Sequence, residues 1–315
     1  MKSILIFFCL LFIQSGWSQR TTELEINRKD CLLKGTLTCA EDTSSVQDLV
    51  LIIAGSGPTD RNGNNANMKN NSLKMLSDQL VENGYATFRY DKRGIAASKL
   101  PMTFDQRDLS FDDFIDDASA WVDLLAKNKK VDKIILAGHS QGSLVALCVA
   151  NKNQNVDAVI SVAGAGRPIH QVLKKQLAAT LSIEMQGLVN SKLDTLAMGD
   201  TLKDSPKMLH SLMHPSIQPF LISWMKYDPA KEIAQLKQPV LLVNGTFDIQ
   251  VDVSEMELLA AANENATAKK IGKMNHVLKW INTKDMGYQL EQYSDPDVPL
   301  HKKLMKPIVK FISSL

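Results

Sequence analysis

The sequence is poor in the features that would commit a chain to a metal, a nucleotide, a nucleic acid or a membrane. Four of its 315 residues are cysteine, Cys9, Cys31, Cys39 and Cys148. Its cysteines and six histidines show no ligand spacing and no H-E-x-x-H occurs, so no metal site is expected. No glycine fingerprint follows the first strand-like run of the core, so no dinucleotide and no other cofactor is expected. Excess charge of one sign is missing as well. The 36 Lys and Arg against 34 Asp and Glu leave a net +2 without a like-charged run, which argues against nucleic acid or an anionic surface as partner. No internal repeat appears. No apolar run reaches the ~18 residues a membrane helix needs.

What is present describes an ordinary globular chain, 44% apolar and 22% charged, long enough for one large α/β domain with an inserted subdomain. Its start is different. Lys2 precedes an unbroken apolar run over residues 4–13, followed by a polar stretch with small Gly16 and Ser18. A charged start, a short apolar run and small residues at −3 and −1 read as a signal peptide over residues 1–18, cleaved before Gln19. The chain is expected to be exported, periplasmic or secreted, with no stable membrane anchor after cleavage. Export permits disulfides, yet Cys31 and Cys39 flank one extended segment and would stand roughly 26 Å apart at about 3.3 Å per residue. Cys148 falls on the core face of a helix. No essential disulfide is expected.

Along the chain, short apolar runs alternate with helical periodicity. A leading hairpin over 22–38 is followed by a continuous apolar run at 49–54, the mark of a strand buried on both faces. Helical spacing over 73–83, a strand at 85–90, a helix over 111–127 and a strand at 134–137 come next. After a strand at 158–162 the alternation lapses between 167 and 236, where the pattern is helical. It resumes with a strand at 240–243, a helix over 253–262, a strand at 268–271 and a last helix over 302–313. Such alternation predicts an α/β fold: a mostly parallel sheet covered by helices on both faces. The lapse predicts a helical cap insertion over the carboxyl ends of the strands, where such sheets bind ligands. The domains are then 19–166 and 237–315 for the core and 167–236 for the cap.

The stretch 131–150 carries the chemistry. A short β-branched run turns through Gly138-His139-Ser140-Gln141-Gly142 into a helical pattern. Strand, G-x-S-x-G and helix in that order put Ser140 on a sharp turn as a candidate nucleophile, with Gly138 and Gly142 where a Cβ would crowd the turn. A serine needs a base. Among the histidines, only His276 follows a predicted core strand at the same edge of the sheet. His139 belongs to the elbow itself and would point away from the hydroxyl. The imidazolium needs a carboxylate: Asp248 follows the strand 240–243 by a glycine-containing turn, and Asp252, four residues on at a helix start, is the rival. The order Ser140, Asp248, His276 is that of one hydrolase fold and not of the chymotrypsin or subtilisin type.

Five segments carry a resemblance. GSGPTDRNGN at 55–64, YDKRGIAAS at 90–98, GHSQG at 138–142, DIQV at 248–251 and MNHVLK at 274–279 together resemble exported bacterial α/β-hydrolases of the esterase and lipase kind. Ala96 departs from the pattern, which often has a second glycine there. The resemblance implies an α/β-hydrolase fold and a serine esterase acting on a small-molecule ester through an acyl-enzyme. It implies that the loop after residue 54 supplies half of an oxyanion hole, through the Ser56 N–H, beside the Gln141 N–H. Asp60 and Arg61 read as an internal pair holding that loop, and Asp91 and Arg93 as structural turn residues. A serine peptidase of the same fold is the alternative, and a binding protein that lost catalysis a third. The helical stretch offers scattered carboxylates and five methionines, Met185, Met198, Met208, Met213 and Met225. With Leu212, Phe220 and Trp224 these suit an adaptable pocket for short to medium acyl groups.

Overall fold

A computed structural model describes residues 19–28, 30–40, 46–178, 180–204 and 209–315. The expected signal peptide, 1–18, and Met208 lie outside the described residues. In chain order the elements are β1 (Gln19–Arg28), β2 (Cys31–Ala40), β3 (Gln47–Ile53), α1 (Ser72–Glu82), β4 (Ala86–Tyr90), α2 (Phe111–Leu125), β5 (Val131–His139), α3 (Gln141–Lys152) and β6 (Ala158–Val162). Helices α4 (Ile169–Ala178), α5 (Ile183–Ala197), α6 (His210–Met213), α7 (Gln218–Met225) and α8 (Pro229–Ala234) follow, without a strand among the described residues. The chain closes with β7 (Val240–Gly245), α9 (Val253–Ala262), β8 (Thr267–Ile271), α10 (Met286–Gln292) and α11 (Met305–Ile312).

The strands form one eight-stranded sheet in the order β1-β2-β4-β3-β5-β6-β7-β8. β1, β2 and β4 pair antiparallel; β4, β3 and every strand beyond it pair parallel. Both faces are covered, as the continuous apolar runs require. On β3, Leu49, Leu51 and Ile53 enter the core shared with α2 and α3, while Val50 and Ile52 enter the core shared with α1 and α11. This is the α/β-hydrolase fold. The leading hairpin is longer than the periodicity predicts, with β1 and β2 in register from Gln19↔Ala40 to Arg28↔Cys31. Cys31 and Cys39 share β2, and both are free, as is buried Cys148.

Two features tie the sheet's working edge together. Arg93, buried after β4, grips Asp117 of α2 through Nε at 2.8 Å and Nη2 at 2.7 Å, and reaches Asp30 at 3.0 Å. Arg93→Met would leave the buried Asp117 carboxylate to the weaker, partly exposed Arg28 at 3.6 Å and is expected to destabilise the protein by about 3 kcal/mol. Adding Asp117→Leu should recover most of that loss. Denaturant midpoints of the single and double variants check both expectations.

Glu255 of α9 is the second tie. It accepts from the Gly166 N–H at 3.1 Å and the Arg167 N–H at 3.2 Å and pairs with the Arg167 guanidinium. The helical stretch is thereby rooted beside the carboxyl end of β6. It carries its own core of Val189, Leu193, Leu196, Met213, Leu221 and Met225. It also packs on α2, where the Trp224 ring stacks on Phe111 with centroids 5.6 Å apart.

Candidate active site

At the end of β5 the backbone turns so tightly that Ser140 takes φ 54°, ψ −118°, a conformation a side-chain-bearing residue holds only under strain. Both flanking glycines are required. A Cβ on Gly138 would stand 2.2 Å from the Gly142 carbonyl oxygen, and one on Gly142 would stand 2.3 Å from that of Ile53. The turn leaves Gln141 as the first residue of α3, directly after the serine. Gly55, at the end of β3, lies so close that a Cβ there would meet the Ser140 Cβ at 3.2 Å.

Histidine and carboxylate come from the ends of β8 and β7, beyond β6 in the sheet. His276 stands in a tight loop after β8, closed by the Asn275 N–H to the Lys279 carbonyl at 3.0 Å. Its Nδ1 lies 2.7 Å from Asp248 Oδ2, and both residues are buried, at 5% and 3% exposure. The other Asp248 oxygen accepts from the backbone N–H groups of Gln250, at 2.8 Å, and Val251, at 2.9 Å. The carboxylate is therefore fixed before the imidazole reaches it. Asp252 faces elsewhere: it caps α9 through the Ser254 N–H at 2.9 Å and pairs with Lys175 at the surface. Against the burial that would raise its pKa, hydrogen bonds from Lys175 and Ser254 hold it down at about 2. The structure brings His276 to Asp248 and not to Asp252. Among the described residues no hydrogen bond joins the Ser140 hydroxyl to the His276 ring. The two share the wall of one cavity, and such contacts in ligand-free sites tighten when substrate binds.

Two cavities meet at Ser140, with Ser56, Gly57 and Gln250 also common to both. One, of about 300 Å³, runs under the helical stretch and is lined by Leu144, Val172, Leu212, Phe220 and Trp224, with Gln141 at its floor. The other, of about 270 Å³, contains His276 and the polar side chains of Thr59, Asn65, Asn70 and Ser72. Tyr293 also stands in its wall; its buried hydroxyl lies next to Gln250 and the His276 backbone and completes no hydrogen bond among the described residues. Among the described residues, none of the methionines lines the apolar cavity. Met213 and Met225 are taken up by the helical stretch's own core, and Met198 is exposed. A stretch standing off the sheet must pack on itself, and that uses its most adaptable side chains.

The loop after β3 is held differently from the sequence expectation. Asp60 and Arg61 do not pair with each other. Asp60 accepts from the Asn62 N–H at 2.8 Å and the Asn64 N–H at 2.9 Å, while Arg61 bridges Asp91 and Glu23, each at 2.8 Å. Asp91 and Arg93 are structural, as their turn position suggested.

Two side chains matter here that the sequence did not single out. Lys92, 4% exposed, donates its ammonium to the Gly55 carbonyl and, at 2.7 Å, to the Gly57 carbonyl, with the Phe114 ring 5.7 Å away. Burial lowers its pKa to about 7. His139 does not turn away from the site. Its ring lies 4.8 Å from that of His276, and its Nε2 is 2.8 Å from the His276 carbonyl oxygen. That oxygen only accepts, so His139 carries its proton on Nε2 and anchors the His276 backbone. Burial first, and His276 second, lower the His139 pKa to about 4, so the ring is neutral around pH 7. A lysine after a strand reads as exposed and a histidine inside a motif reads as filler, so neither gave a sequence signal.

Comparison with known proteins agrees with this fold. The chain is similar to Esterase EstD of Thermotoga maritima, at 25% identity over 232 residues that make up 73% of this chain and 54% of that protein. The chain thus spans about half the length of that curated relative. Among solved structures it is similar to Est1E from Butyrivibrio proteoclasticus with ferulic acid bound. There the TM-score is 0.63 at 17% identity, covering 92% of this chain and 99% of the other. It is also similar to the Pyrococcus furiosus esterase Pf2001, with a TM-score of 0.57 at 17% identity over 94% of this chain and 91% of the other. The sequence pattern of the serine aminopeptidase family S33 matches residues 67–279, a span that takes in Ser140, Asp248 and His276. By that match, over about two thirds of its length, the chain belongs to the serine aminopeptidase family S33.

Proposed function

We propose that the protein is an exported serine hydrolase that cleaves carboxylic esters of short to medium acyl chains. Ser140 is the nucleophile, His276 the proton shuttle and Asp248 the group that fixes the His276 tautomer, with the Ser56 and Gln141 amides binding the oxyanion. The observation that carries this reading is Ser140 on a strained elbow where an apolar cavity meets the one holding the His276–Asp248 pair.

The Ser140 Oγ attacks the ester carbonyl carbon while its proton passes to His276 Nε2, the nitrogen not engaged by Asp248. The carbonyl oxygen becomes an oxyanion facing the two amides. On collapse the C–O bond to the alcohol breaks, and His276 returns the proton to the departing alkoxide. Water then repeats the sequence on the acyl-enzyme. Because the alkoxide must leave beside His276, the alcohol occupies the polar cavity and the acyl chain the apolar one, with residues 167–236 acting as the cap above it. Polar alcohols are therefore favoured. A monobutyryl ester of glycerol is expected to show a higher kcat/KM than butyl butyrate, and the reverse ranking would overturn this assignment of the cavities.

The family name gives the peptidase reading a specific basis, and the same cavities speak against it. Reading a free amino terminus takes a carboxylate near the nucleophile. Among the described residues, neither cavity is lined by Asp or Glu, and the one Arg in their walls, Arg167, is paired with Glu255. The test compares kcat/KM for p-nitrophenyl butyrate with that for an aminoacyl p-nitroanilide. Faster ester turnover is expected. Anilide turnover equal to or faster than ester turnover would establish the peptidase reading instead. Residues 1–18, as a cleavable leader, supply the export part of the proposal, and amino-terminal sequencing of the protein recovered outside the cytoplasm checks it.

A further inference from the structure

We propose that Lys92 is the positioning residue of the oxyanion loop: by gripping the Gly55 carbonyl oxygen it aims the Ser56 N–H at the reacting carbon's oxygen. The proposal rests on Ser140 being the nucleophile and the Ser56 amide an oxyanion donor.

The argument begins with the peptide bond. The Gly55 carbonyl and the Ser56 N–H belong to one planar, trans peptide group, so they point in opposite directions from its two edges. The direction of that N–H is set by rotation of the whole plane and by nothing in the Ser56 side chain. Rotation is otherwise poorly restrained, because the plane is flanked by Gly55 and, one residue on, by Gly57 at φ +71°. A donor on the Gly55 oxygen stops it. Lys92 is that donor, and its second bond, to the Gly57 oxygen at 2.7 Å, brackets Ser56 from the other side. The Ser56 carbonyl is occupied too, by the Thr59 hydroxyl at 2.9 Å. All three carbonyls of the turn are thus tied back into the protein, and Ser56 is left in the wall of both cavities beside Ser140.

The choice of side chain supports a role beyond filling. A buried cation is costly unless paired, and among the described residues Lys92 forms no ion pair; its neighbours Asp91 and Arg93 are each committed to other partners. It meets two carbonyl dipoles and an aromatic face instead. Donation to the Gly55 oxygen also polarises the shared peptide group, which makes its N–H a stronger donor. Both an ammonium and a neutral amine have the two N–H groups these bonds need.

The test compares the native enzyme with Lys92→Met, which keeps the bulk and removes the donors, and Lys92→Gln, which keeps donors without charge. p-Nitrophenyl butyrate turnover is measured together with the pKa of the hemiketal that Ser140 forms with a 13C-labelled trifluoromethyl ketone, read by NMR. Loss of a whole oxyanion donor costs ~10²–10³-fold in kcat, so a misaimed one is expected to cost roughly 10- to 100-fold. KM should stay within about threefold, because the oxyanion exists only past the ground state. The hemiketal pKa should rise by about 1–2 units, the same factor expressed as proton affinity. Lys92→Gln should fall between native and Lys92→Met, and it carries the comparison by itself if the methionine variant does not fold. A folded variant without donors that keeps kcat within about twofold overturns the proposal. So does a loss of kcat with an unchanged hemiketal pKa, which would mark Lys92 as merely structural. A native protein that neither turns over the ester nor reacts with a fluorophosphonate removes the underlying reading as well, whereas native activity with an indifferent Lys92→Met removes this inference alone.

Discussion

Ser140→Ala is expected to lower kcat on p-nitrophenyl butyrate by roughly 10³–10⁶-fold and to abolish fluorophosphonate labelling. The range is wide because a triad acts as one unit. Once the nucleophile is gone, His276 and Asp248 have no proton to move, and what remains is the background rate aided by substrate positioning and the oxyanion donors. The fold should survive. Ser140 has a strained φ of 54°, and alanine meets the same strain with a smaller side chain, so the melting temperature should shift little. KM should also change little if the apolar cavity supplies ground-state binding, since Leu212, Phe220 and Trp224 are untouched. Labelling that persists in the alanine variant would mean that another residue is the nucleophile.

Asp248→Asn is expected to cost on the order of 10⁴-fold in kcat. The geometry states the reason. Asp248 Oδ2 sits 2.7 Å from His276 Nδ1, which places the proton on Nδ1 and leaves Nε2 as the base. An asparagine amide turned toward His276 would donate where a carboxylate accepts, and would select the tautomer with its proton on the wrong nitrogen. The other asparagine atom would still find the Gln250 and Val251 N–H groups, so the turn after β7 should hold. Asp252→Asn is the matched control. Asp252 caps α9 and pairs with Lys175 at the surface, so its loss should cost about 1 kcal/mol of stability or less and under about tenfold in kcat. Reversal of the two effects would transfer the acid role to Asp252.

Local rules and the family resemblance reached far in this chain. The continuous apolar run after the first hairpin required a strand buried on both faces, and β3 divides its side chains between two cores. The glycines of the elbow were legible because their constraint is local: the atoms a Cβ would strike lie in residue 142 and in the neighbouring strand end. The absence of strand spacing between 167 and 236 was legible for the same reason, and among the described residues no strand lies between β6 and β7.

What sequence could not decide was pairing between distant side chains. Arg61 next to Asp60 reads as an internal pair, yet Arg61 reaches Asp91 and Glu23, because β2 and β4 bring those carboxylates to the loop and Asp60 turns back on its own backbone. Met213 and Met225 read as a lining and are core, because the helical stretch has no sheet face to bury against.

By itself, then, the sequence determined the alternation that makes a covered parallel sheet and the turn that a serine can occupy between two glycines. These depend on periodicity, backbone sterics and chain order, which are properties of short segments. The tertiary structure alone decided where the two cavities join, and that His139 and Lys92 brace the histidine loop and the turn after β3. The bracing contacts span 35 to 137 residues of chain. They arise only when parallel strands end at one edge of a sheet, and they involve burying a lysine and a histidine that local sequence would leave in water.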